Sequence, residues 1–247
     1  MSRYLQNFLV FFFLYIPPLI FFIKYSYKKG INKFLLLVIT MFYLVLSIFT
    51  QNLLPFILIL IDIRYIRLTD DGMLTDGYRN YNNTSKDYIR YNFDIKSFKL
   101  LKGIRYAAVT YGITIVANIL IFLILQAYKI DLKEQEIVKV LLNGSLNQLL
   151  YMLPSMVIFA PMVEEFTFRW LLFEKLFKPR MGVFMAAVLS SIMFSIVHFN
   201  IRSFPILMII GFLNCYFIHK KGYWYAVFNH LVFNSVTAII MINQKIS

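Results

Sequence analysis

Apolar residues run along this chain in long unbroken stretches separated by short polar connectors, without the in-out alternation of half-buried strands. The first stretch, residues 5–23, contains Pro17-Pro18, which predicts a kink or the end of its regular part there. No small-residue cleavage pattern follows it, so it reads as a retained span and not a signal peptide. A connector with Lys24, Lys28, Lys29 and Lys33 leads to a second apolar run, 34–61. That run is too long for one ordinary crossing and too short for two, and Gln51-Asn52 and Pro55 interrupt it. It predicts a long tilted span, or a span plus a re-entrant piece. Further spans are predicted over 106–127, 146–177, 182–199, 204–218 and 224–242, about seven in all.

Two polar stretches divide these spans. Residues 62–105 hold nine basic and six acidic side chains among several tyrosines, a composition suited to a cytoplasmic loop lying on lipid headgroups. Asp70-Asp71-Gly72 and Asp76-Gly77 lack the regular oxygen-ligand spacing and closing Glu of a calcium loop, and read as turns. Residues 129–147 place Glu134, Glu136 and Lys139 among Ile137, Val138 and Leu141, the pattern of a short interfacial amphipathic helix. The chain thus divides into N-terminal spans with a basic loop (1–145) and a C-terminal membrane core (146–242).

Composition agrees with an all-α polytopic membrane protein: 60% of the 247 residues are hydrophobic and only 15% charged. The net charge of +13 raises nucleic-acid binding, but the Lys and Arg residues flank apolar runs. There they set topology and pair with anionic headgroups, and no nucleic-acid partner is expected. If the connectors holding Lys24–Lys33, 62–105, 175–180 and Lys220-Lys221 are cytoplasmic, they hold 18 of the 25 basic residues. A single cysteine, Cys215, excludes an internal disulfide framework and reads as a buried structural thiol.

The chemistry begins where charge enters an apolar run, at Val163-Glu164-Glu165-Phe166-Thr167-Phe168-Arg169-Trp170. Charges near the bilayer centre cost several kcal/mol each. Glu165 and Arg169 stand four apart and can pair along one helix face, which leaves Glu164 to be explained by function. Two histidines also fall within spans: His198 closes Phe194-Ser195-Ile196-Val197-His198, and His230 lies one turn before Asn234. Counted from the cytoplasmic turns, Glu164 lies about 22 Å deep, His198 about 27 Å and His230 roughly 14 Å. Helix tilt lets Glu164, His198, His230 and Asn234 meet in one polar chamber. A Glu there can take a proton from water and pass it to a leaving amine. The two imidazoles can hold a metal such as zinc with Glu164 or, with Asn234, polarise a carbonyl without one. Ser195 is the nearest hydroxyl to a histidine and is not expected to act as a nucleophile.

Glu164-Glu165-x-x-x-Arg169, Phe194-x-x-x-His198 and His230-x-x-x-Asn234, in this order on three helices, resemble the CPBP family of CAAX proteases and bacteriocin-processing (Abi-domain) proteins. The resemblance covers roughly residues 146–242. It implies an all-helical intramembrane protease open to the cytoplasm, with Glu164 as the base. It further implies His198 as ligand or carbonyl polariser, His230 and Asn234 completing a metal or oxyanion site, and Glu165 and Arg169 in support. The metal-dependent and metal-free mechanisms both stay open. In a bacterial cell membrane the substrate would be a membrane-associated peptide or protein. A non-catalytic role as immunity protein or membrane scaffold is the alternative. A proton or ion relay through Glu164 and Arg169 gains little, because no inverted repeat is visible.

Overall fold

The computed structural model describes residues 3–50, 52–68, 86–129 and 144–246. The Asp-Gly pairs of the polar loop and most of the predicted interfacial helix lie outside them. Every regular element among the described residues is helical. Among the described residues, five helices are long and apolar enough to cross a membrane, the longest being Leu146–Ile196; Phe204–Lys220 is apolar but shorter.

The first rod is α1 (Arg3–Val10), a π-helical turn (Phe11–Tyr15) and α2 (Ile16–Lys28). It neither ends nor breaks at Pro17-Pro18. The prolines fall at the start of α2, just after the wider turn, where the Thr167 hydroxyl donates to the Leu14 carbonyl that Pro18 cannot serve. The run 34–61 resolves into two helices, α3 (Lys33–Thr50) and α4 (Leu53–Leu68), with Asn52 in a turn before the second. Tyr25 stacks on Tyr65 at 4.4 Å, so α2 packs along α4.

Two parts of the predicted headgroup loop have other structures. Residues 62–68 continue α4, because Ile63 and Ile66 turn inward with the helix face already buried. Asp62 goes in with them, fully buried and with neither carboxylate oxygen hydrogen-bonded. Downstream, α5 (Lys86–Arg90) and the chain after it dock on the protein core, with Tyr91 and Phe93 buried. Tyr223 N donates to the Tyr91 carbonyl at 2.7 Å and Trp224 Nε1 to the Phe93 carbonyl at 2.9 Å. The Tyr91 hydroxyl donates to Glu174 at 3.0 Å, and burial beside that carboxylate pushes the phenol well above its ordinary range. Residues 88–99 are therefore a strap across the helix ends. After it, α6 (Leu100–Ala127) is largely exposed along its length, as a lipid-facing helix should be.

The second half opens on a capping box, in which Ser145 and Gln148 each satisfy the other's backbone N–H. A continuous rod follows: α7 (Leu146–Pro154), a π turn (Ser155–Phe159), α8 (Ala160–Glu164) and a π-helical stretch (Glu165–Phe177). It runs into α9 (Lys178–Ile196) but is broken at Gly182, whose φ of 76° suits glycine. Two more helices, α10 (Phe204–Lys220) and α11 (Tyr223–Ile246), close against it.

Candidate active site

Glu164 and Glu165 sit where the rod changes from α-helical to π-helical winding. Such transitions turn successive side chains out of their usual register and recur at functional sites. The two carboxylates divide accordingly. The Glu164 side chain keeps 13% exposure and the Glu165 side chain keeps none. Only Glu164 is placed to meet a molecule entering the bundle.

Glu165 is the better-held of the two. Its Oε1 accepts from Asn214 Nδ2 on α10 at 3.0 Å and from His230 Nδ1 on α11 at 2.8 Å. Its Oε2 lies 3.2 Å from Arg169 Nε, so the i, i+4 ion pair forms, although not with hydrogen-bond alignment. The Arg169 guanidinium lies over the Phe194 ring at 4.0 Å, a cation–π contact in a fully buried setting. Asn214 in turn accepts from Asn229 Nδ2 at 2.7 Å. One carboxylate therefore ties the rod to α10 and α11.

His230 spans the pair. With Nδ1 committed to Glu165, its Nε2 faces Glu164 Oε2 at 3.6 Å. A carboxylate ion only accepts, so Nδ1 is the donor to Glu165, and a neutral ring then presents its Nε2 lone pair toward Glu164. His198 lies on the turn just beyond α9, with Nδ1 at 2.8 Å from the Phe194 carbonyl. The Phe194 ring separates the two histidines, 4.8 Å from His198 and 5.7 Å from His230 between centroids. His198 is within electrostatic reach of both Glu164 and His230. His230 thus faces Glu164, while His198 stands across the Phe194 ring from it.

Asn234 is engaged differently. Its Nδ2 donates to the Met156 carbonyl at 2.9 Å. In the π turn that precedes α8, hydrogen bonds run to the fifth residue back, as from Ala160 N to the Ser155 carbonyl. The next donor in that register belongs to Pro161, which has none, and Asn234 supplies it from across the bundle. Ser195 donates to the Ser191 carbonyl at 2.8 Å and is not paired with His198. Cys215 is fully buried.

The metal reading asks whether Glu164, His198 and His230 fit a zinc ion. Both imidazoles have Nδ1 held by an oxygen, the orienting arrangement common to zinc-bound histidines. Yet no group of three or more His, Cys, Asp or Glu residues among the described ones comes together with ligand spacing. As arranged, the side chains do not fit a three-ligand centre.

Sequence reasoning left out Asn214, Asn229 and Tyr15. Two of them carried a signal, since Asn214 interrupts an apolar helix and Asn229 adjoins His230. Tyr15, on the first rod, donates its hydroxyl to Asn52 at 2.9 Å.

Comparison with known proteins places this geometry in context. A curated protein of Bacillus subtilis (strain 168), named "Putative membrane peptidase YdiL", is 29% identical over 86 residues. That alignment spans 34% of this chain and 35% of the relative, so the similarity reaches only about a third of either. No solved structure matches. The family model that matches is described as type II CAAX prenyl endopeptidase Rce1-like, and it covers residues 145–236. Glu164, Glu165, Arg169, His198, Asn214, His230 and Asn234 all lie inside that stretch, which is similar to the family over those residues.

Proposed function

We propose that this chain is an intramembrane endopeptidase of a bacterial cell membrane, hydrolysing a peptide bond in a membrane-associated peptide or protein. The observation that carries the reading is His230 held between two carboxylates, one buried and one open to the chamber. Glu164 takes a proton from water as the water oxygen adds to the scissile carbonyl carbon. To donate to the oxyanion that forms, the imidazoles of His230 and His198 must each carry a second proton, on Nε2. It adds to the Nδ1 proton, directed at Glu165 and at the Phe194 carbonyl respectively, and Glu165 keeps the His230 ring in place. Collapse breaks the C–N bond as Glu164 returns its proton to the leaving amine, so the acid ends the cycle as it began. No step is assigned to a metal. Zinc measured in the purified protein, and lost on changing His198 or His230, would restore the metal-dependent alternative.

Support comes from the Rce1-like match and from the peptidase name of the relative. Lipid-anchored peptides, peptide pheromones and bacteriocin precursors are the substrates to try. The test is an internally quenched, lipid-anchored peptide series in proteoliposomes, with Glu164→Gln and His198→Ala prepared at matched expression. Loss of turnover in both is expected. A biological effect that survives both changes would transfer the role to a non-catalytic immunity protein or scaffold.

A further inference from the structure

The π-helical stretch Glu165–Phe177 carries a second buried acid, Glu174, toward its far end. Its Oε2 accepts from Lys178 Nζ at 2.6 Å and from the Tyr91 hydroxyl at 3.0 Å, and its Oε1 from His219 Nδ1 at 2.7 Å. A carboxylate ion only accepts, so Nδ1 carries the proton in His219. Four segments thus meet on one acid: the rod, the start of α9, the end of α10 and the strap. Both buried acids of the stretch reach α10, Glu165 through Asn214 and Glu174 through His219. They stand nine residues apart. In an α-helix nine residues make about two and a half turns, and two such side chains leave on opposite sides. A π turn, bonded to the fifth residue back, holds roughly four and a half residues, so nine make two turns and both acids face one neighbour. The bond from Lys178 N to the Phe173 carbonyl has that reach. A π stretch of 13 residues far exceeds the single-turn bulges in which this winding usually occurs, so contacts beyond the backbone must hold it.

We propose that Glu174, tied to His219, is a positioning residue that fixes the winding of the rod and, through it, the seat of Glu165 against His230. Rewinding the stretch as an α-helix turns the two acids about half a turn relative to each other, and α10 then cannot keep both. Glu174 touches neither Glu164 nor either histidine of the site, and acts only through the rod that carries Glu165. The inference rests on the proposed peptidase site and adds what holds its geometry.

The first test needs no substrate. The chain has three histidines, His198, His219 and His230, so nitrogen NMR of the full chain with ring-labelled histidine in lipid nanodiscs follows each ring. Glu174→Leu and His219→Ala should each move the His230 Nδ1 resonance, which reports the bond to Glu165. His198, held to the Phe194 carbonyl on α9, should stay in place. His219→Asn sets an amide N–H where Nδ1 stood and should keep the parent His230 resonance. The Lys178 and His219 side chains are each 17% exposed and can turn to water when the acid is removed. His219→Ala leaves Glu174 its two other donors, and decides the matter if Glu174→Leu does not fold. A His230 resonance indifferent to His219→Ala, or one that moves no more than that of His198, overturns the proposal, and so does loss of the parent resonance in His219→Asn. The second test uses the lipid-anchored peptides: His219→Ala should lower kcat by about ten- to a hundredfold with KM unchanged, the scale of a small misplacement of reacting groups. A loss confined to KM or an unchanged kcat also overturns it. Turnover retained by Glu164→Gln would sink the base assignment instead, and leaves the NMR result standing.

Discussion

His230 Nδ1 stands 2.8 Å from Glu165 Oε1, while the opposite nitrogen of the same ring faces Glu164 at 3.6 Å. Two consecutive glutamates thus do separate work. The buried one fixes the ring, and the partly open one shares a space with it. A lone pair and a carboxylate facing each other are comfortable only with a donor between them, which is where a water molecule or a substrate N–H belongs. The i, i+4 partner of Glu165, Arg169, lies 3.2 Å from its other oxygen.

Glu165→Gln should therefore cost more than a surface ion pair would. Arg169 would be left as an unpaired charge in a fully buried position, a loss of about 3–5 kcal/mol. The freed imidazole should lower kcat by about 10–100-fold, as removal of a histidine's orienting partner does elsewhere. Thermal unfolding and peptide turnover on one preparation check both numbers.

Asn214→Leu removes the amide that joins Glu165 to Asn229. Two buried polar groups then lose a partner, and stability should fall by about 1–3 kcal/mol. Asn229→Leu in the same background should add little, because the contact it would break is already gone. A double-mutant cycle on thermal unfolding reads the coupling.

Asn234 yields a prediction of rescue. Asn234→Ala orphans the Met156 carbonyl and should destabilise the protein by about 1–3 kcal/mol. Pro161→Ala restores a backbone N–H in the register that the π turn demands. The double variant Asn234→Ala/Pro161→Ala should then be more stable than Asn234→Ala alone. Equal stability would mean that Asn234 matters for something other than that carbonyl.

How much of this was readable beforehand follows from which forces are local. The all-helical architecture, the Glu164 rod and the approach of His230 to Glu164 all rest on run length, charge placement and depth, and a chain displays these openly. The split of 34–61 at Gln51-Asn52 was half visible. The extension of α4 past Ile61 was hidden by Asp62, Arg64 and Arg67, whose polarity outweighed the inward face marked by Ile63 and Ile66. Asn214 was missed for a different reason. Its role depends on the rotation of α10 about its axis relative to Glu165, a quantity no single helix encodes. The Asn234–Met156 bond needed knowledge of π winding, which Pro154 and Pro161 hint at without specifying.

Gly222→Ala tests the strap. Gly222 has φ of 115°, and an added Cβ would stand 2.5 Å from Asn92 Cβ. Strain of about 1–3 kcal/mol is expected. It should be relieved by lifting residues 91–93 away from Tyr223, and hydrogen exchange at Tyr223 N, which is bonded to the Tyr91 carbonyl, should quicken first.

The Leu14 carbonyl carries one more consequence, in time as well as in space. Its donor, Thr167, is made 153 residues later. Until the ribosome delivers that hydroxyl, the first span rests in hydrocarbon with a polar atom unanswered, a state that favours a shallow or shifted seat in the bilayer. Final seating of the N-terminus must then wait for the Glu164 rod to insert, and a nascent chain halted before Thr167 would hold its first helix in a different place from the finished molecule.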